Sequence, residues 1–130
     1  MTRLLRALLT LLGLVPVVTG LLGVIGGVTF DPTDNASSHY FDSEYRFLNG
    51  VWICVGVALW WSLRRPGPRA AVTRFLLVAM VAGGLARAVS VVTLGWPSPV
   101  FTAALGVELL LIPALVAWHA KAYPIPASTA

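Results

Sequence analysis

The sequence predicts an all-α integral membrane protein, a four-helix bundle with both termini cytoplasmic, on three observations. Of the 130 residues, 58% are hydrophobic and only 11% charged, with a mean hydropathy of +0.84, whereas soluble domains carry about a quarter charged residues. The apolar residues fall into four runs, each near the roughly 20 residues a helix needs to cross a hydrocarbon core about 30 Å thick. The basic residues gather on one side of those runs. Residues 1–130 are therefore read as a single membrane domain, with helices at about 4–27, 44–63, 70–94 and 99–119, an extracytoplasmic loop over 28–43 and a short tail at 120–130.

The first run begins behind Arg3 and Arg6 and holds Pro16 at its middle. A secretory h-region spans about 7–15 residues, so this longer run is expected to stay attached as a helix. Gly13, Gly20 and Gly27 recur every seven residues, and Gly23 with Gly27 forms GxxxG. Such a smooth face allows close helix contact, either within the chain or with a second copy in a homo-oligomer.

The segment Thr29–Ser43 has Asp, Asn, Ser, Pro and aromatic residues but no Lys or Arg. Asp42 or Ser43 suits a cap on the second helix, and Tyr40, Phe41, Tyr45 and Phe47 suit the headgroup zone. Asn35-Ala-Ser37 matches a glycosylation sequon, but the Ala, Gly, Val and Arg usage points to a bacterial inner membrane protein. The second run ends at Trp60-Trp61 and Arg64-Arg65-Pro-Gly-Pro-Arg69, a turn no helix can continue. The third run reaches Leu94, and Gly95-Trp-Pro-Ser-Pro99 leads into the fourth. Pro113 should kink that helix, because it cannot donate to the Leu109 carbonyl.

Arg3, Arg6, Arg64, Arg65, Arg69, Arg74 and Lys121, seven of the nine Lys and Arg residues, fall on one side if the helices alternate. Lys and Arg bias a segment toward the cytoplasm, which puts both termini there. The two left over are Arg46 and Arg87. Arg87 lies roughly 12 Å below Gly95, and Glu108 roughly 13 Å below Pro99, at 1.5 Å per residue. Thr19 stands at similar depth on the first helix. Gly83, Arg87 and Ser90 share a face, with Gly83 leaving room beside the guanidinium, while Asn49 and Trp52 continue the face of Arg46 inward. A charge at the bilayer centre costs about 2.5–3.5 kcal/mol on insertion scales, so Arg87 and Glu108 are expected to pair, either as a fastener or as part of a pocket. The candidate ligand-binding residues are Arg46, Asn49, Arg87, Ser90 and Glu108, with Glu108 also the candidate catalytic residue.

Other chemistry finds little support. The net charge of +4 and a pI near 10 come without a basic patch interleaved with aromatics, so no nucleic acid partner is expected. Cys54 is alone in the chain, which excludes an internal disulfide, and it is read as a small core residue. His119 is read as an interfacial, solvated histidine. A metal site around His39, Asp31, Asp34 and Asp42 matches no known ligand spacing. No cofactor and no metal are expected, and the phosphate loop, GxSxG and HExxH patterns are missing.

The order Arg46-Phe-Leu-Asn-Gly50, Gly83-Gly-Leu-Ala-Arg87 with Ser90, Gly95-Trp-Pro97, then Glu108-Leu and Pro113 resembles the bacterial four-helix membrane proteins of the domain of unknown function 4345 family, over nearly the whole chain. The resemblance implies a small four-span membrane protein and brings no catalytic assignment. The function expected from the residues is binding of a lipid-like or other amphiphilic small molecule in an outward-facing polar pocket, among membrane lipids. The alternatives are a membrane-embedded isomerase or hydrolase with Glu108 as acid/base, a proton-coupled small transporter, and a structural subunit of a membrane complex.

Overall fold

The computed structural model describes residues 2–30 and 39–125. The sequon at Asn35 and the acidic residues Asp31 and Asp34 lie outside them. Among the described residues the chain is helical with no strand: α1 (Thr2–Gly26), a 3-10 turn (Gly27–Phe30), α2 (His39–Leu63), α3 (Ala70–Leu94), α4 (Pro99–Gly106), a π-helical turn (Val107–Leu111) and α5 (Ile112–Ala122). Four helical spans are long and apolar enough to cross a membrane, Thr2–Gly26, Phe41–Leu63, Ala70–Leu94 and Pro99–Ala122. The protein is a multi-pass membrane protein by that measure. Phe75, Val92 and Leu110, each more than 70% exposed, are the large side chains such helices turn toward lipid.

The second helix begins at His39, five residues before the expected start at 44. Polar and aromatic residues carry no apolar periodicity there, so hydropathy alone stops short. Asp42 consequently sits inside the helix rather than capping it.

The chain divides into two compact units, one of residues 6–64 and the other of residues 1–5 and 65–130. In the first, α1 turns its glycines onto α2. A Cβ on Gly20 would stand 2.6 Å from Ile53 Cγ1 and 2.8 Å from the Asn49 carbonyl oxygen, and one on Gly56 would stand 2.7 Å from the Gly13 carbonyl oxygen. Gly23 faces the Asn49 amide and Gly13 the Trp60 indole. The glycine face offered by the sequence is thus in contact with α2 of the same chain. Two indoles add hydrogen bonds along this seam: Trp60 Nε1 donates to the Thr10 carbonyl at 2.9 Å, and Trp52 Nε1 to Thr19 Oγ1 at 3.1 Å. Thr19 in turn donates to Val15 O at 2.7 Å.

In the second unit α3 packs on α4 and α5. The buried positions of α3 are Ala70, Thr73, Leu76, Leu77, Met80 and Gly84, and those opposite are Glu108, Ile112, Leu115 and His119. Steps of three and four residues keep each set on one stripe. The helices are joined at Gly95, whose φ of 94° favours glycine and whose N–H closes α3 onto the Val91 carbonyl at 2.9 Å. Pro99 then occupies the first turn of α4, where its missing N–H costs no hydrogen bond.

Candidate functional site

Pro113 shapes the site. It supplies no N–H to Leu109, and instead of only a kink the helix widens just before it: the Ile112 N–H reaches back five residues to the Val107 carbonyl. Such π-turns insert an extra residue and recur at functional sites. Glu108 stands in this turn, on the buried stripe that continues through Ile112, Leu115 and His119. Its side chain is 8% exposed, and opposite it α3 has Gly84, where a Cβ would meet Glu108 Cβ at 2.6 Å.

Arg87, one turn beyond Gly84, closes the pair. Its Nε donates to Glu108 Oε2 at 3.1 Å and its Nη2 to Oε1 at 3.3 Å, the two-pronged geometry in which a planar guanidinium matches a carboxylate. Phe101 of α4 lies under the guanidinium, 5.2 Å from its carbon to the ring centroid, a cation–π contact. Nη1 makes no hydrogen bond among the described residues, and the side chain remains 34% exposed. The site can therefore present fixed, positively charged donors to an acceptor while Glu108 balances most of the charge. Trp96, Pro97, Pro99, Thr102 and Ala103 line an open depression at the turn between α3 and α4.

The glycine that makes room is Gly84 rather than Gly83. Gly83 is exposed with nothing near its Cβ position, because it is Gly84 that falls in step with Leu77 and Met80. Gly84→Ala is expected to destabilise by about 1–2 kcal/mol through overpacking onto Glu108, and Gly83→Ala to stabilise by about 0.5 kcal/mol through helix propensity. Denaturant titrations in micelles, followed by circular dichroism, check the contrast.

The remaining sequence-selected residues are placed otherwise. Ser90 is exposed on α3. Arg46 lies in the other unit, where its Nε donates to Asp42 Oδ2 at 2.7 Å and its Nη1 to the carbonyls of Val24 and Ile25. Asp42 Oδ1 accepts from the Val28 N–H at 3.0 Å. Arg46 and Asp42 thus tie down the last turn of α1, where a cation meets the negative end of the helix dipole. Gly27, at φ 60°, fits beside them, since a Cβ there would run into both side chains. Asn49 donates to its own helix, Nδ2 to Tyr45 O at 2.8 Å. The Asp42–Arg46 pair was readable from its four-residue spacing, and Phe101 carries no sequence signal as an arginine partner.

Two further residues stand apart from expectation. Cys54 is exposed rather than in the core, since in a membrane helix the outward face is apolar too. His119 is fully buried rather than solvated, because it lies eleven residues beyond Glu108 on the same stripe. No group of three or more His, Cys, Asp or Glu side chains among the described residues could hold a metal ion.

Comparison with curated proteins and with solved structures gives no match. The family model described as Domain of unknown function (DUF4345) matches residues 4–119, nearly the whole chain, and the protein belongs to that family.

Proposed function

We propose that the protein binds the polar end of a lipid-like or other amphiphilic small molecule at Arg87, in the bacterial inner membrane with both termini cytoplasmic. The observation that carries this reading is the half-used guanidinium. Glu108 and Phe101 fix its orientation, yet a third of the side chain stays open at a depth where hydrocarbon offers no acceptor. Both Glu108 oxygens are occupied by Arg87, which suits a positioning role better than acid/base or proton-carrier chemistry. Arg46, which bonds Asp42 and the carbonyls at the end of α1, and Asn49, which bonds its own helix backbone, enter this reading as structural residues.

Native mass spectrometry in mild detergent tests the reading through Arg87→Lys, which keeps the charge and loses the planar fork. Retained amphiphile is expected to fall about tenfold, the equivalent of one charge-assisted hydrogen bond. Retention equal to wild type at equal folded yield rejects it. Reporter fusions at either end test the topology, and an extracytoplasmic C-terminus rejects that part.

A further inference from the structure

The buried stripe of α5 ends in a second polar station that the Arg87 site does not use. It lies roughly 16 Å along the helix from Glu108, eleven residues at 1.5 Å each. His119 is 0% exposed, and neither of its ring nitrogens has a hydrogen-bond partner. Arg74, in the first turns of α3, is joined to it through Tyr123: its Nη2 donates to the Tyr123 carbonyl, and the Tyr123 ring lies 5.1 Å from the imidazole. Arg74 Nε is also buried without a partner, and no described acid forms a salt bridge with this guanidinium.

Buried polar groups are almost always hydrogen-bonded, because leaving them bare forfeits their hydration. Arg74 Nε offers a donor. The imidazole offers one donor and one acceptor when neutral and two donors when protonated, the second case, or a protonated oxyanion in the first, meeting both nitrogens. The complement of this set is an acceptor with several oxygens and negative charge, beside an arginine no acid balances. Arg69 precedes α3 and Lys121 lies in the last turn of α5, so the same end of the unit carries further positive charge.

We propose that Arg74 and His119 form a second site, one that takes an oxyanion of the phosphate class at this end of the α3–α5 seam. A lipid phosphodiester and free phosphate share that chemistry. The Tyr123 ring borders the site. It is the first residue past α5, and its backbone carbonyl already holds Arg74 Nη2.

The test uses the full chain in dodecyl maltoside, a detergent without phosphate, with ring nitrogen-15 label in histidine. The His119 signals are assigned by their loss in His119→Gln. Titration with phosphatidylglycerol or with inorganic phosphate is expected to shift them saturably. A shift with phosphatidylglycerol alone identifies a lipid headgroup as the source, and a shift with both identifies a free oxyanion as sufficient. Arg74→Gln is expected to weaken the titration about tenfold, and where that variant fails to fold, Arg74→Lys serves in its place. Three results overturn the proposal: no shift with either probe, an equal shift with potassium chloride at matched ionic strength, or an unaltered titration in the folded Arg74 variant.

Discussion

Glu108→Ala is expected to cost about 3 kcal/mol, because removing one member of a buried ion pair leaves the other charge uncompensated. The low end of the usual range applies, since Arg87 is 34% exposed while Glu108 is 8% exposed, and the freed guanidinium can turn partly toward other acceptors. Arg87→Met alone strands the carboxylate instead and is expected to cost a similar amount. The informative variant is the double replacement Arg87→Met with Glu108→Met. Apolar side chains of similar length fill the same space, and buried ion pairs exchanged in this way often lose nothing, so the double variant should fall within about 1 kcal/mol of wild type. Unfolding titrations by circular dichroism in micelles read all three. A double variant as unstable as the sum of the singles shows that the two residues are not coupled.

The α1–α2 seam yields the other large effect. Gly20→Leu places its Cβ against the Asn49 carbonyl oxygen at 2.8 Å and the Ile53 nitrogen at 3.2 Å, and backbone atoms cannot swing aside as a side-chain tip can. The helices must part, at an expected cost of about 3 kcal/mol, the upper end for overpacking. Gly50→Leu, on the same two-helix unit but with nothing within 4 Å of its Cβ position, is expected to stay within about 0.5 kcal/mol of wild type. The same titration separates them, and equal stability of the two variants contradicts close packing through the glycine face.

What the sequence shows and what it hides follow from how hydropathy works. The spans are legible because a long apolar run has one low-energy state in lipid, a helix. Arg87 and Glu108 are legible as a pair because a charge inside such a run demands a partner. Hydropathy does not separate the face turned to lipid from the face turned to protein, since both are apolar, and so Cys54 and Gly83 lie outward where the sequence suggests inward. His119 was obscured by its neighbours Trp118 and Lys121, which suggest an interface, although its spacing from Glu108, Ile112 and Leu115 carries the opposite signal. Arg46 shares a helix face with Asn49 and Trp52, yet its partners are Asp42 four residues earlier and the carbonyls where α1 ends. The π-turn is a response to Pro113 that a rule for proline kinks does not specify.

On the proposed reading Arg87 and Glu108 hold a ligand rather than merely fasten α3 to the fourth span. The most direct measurement is native mass spectrometry of the Arg87→Met, Glu108→Met double variant beside wild type, from the same detergent and at matched folded yield. The double variant is expected to fold and to lose the amphiphile carried by wild type. A double variant that retains the amphiphile at the wild-type level contradicts that reading.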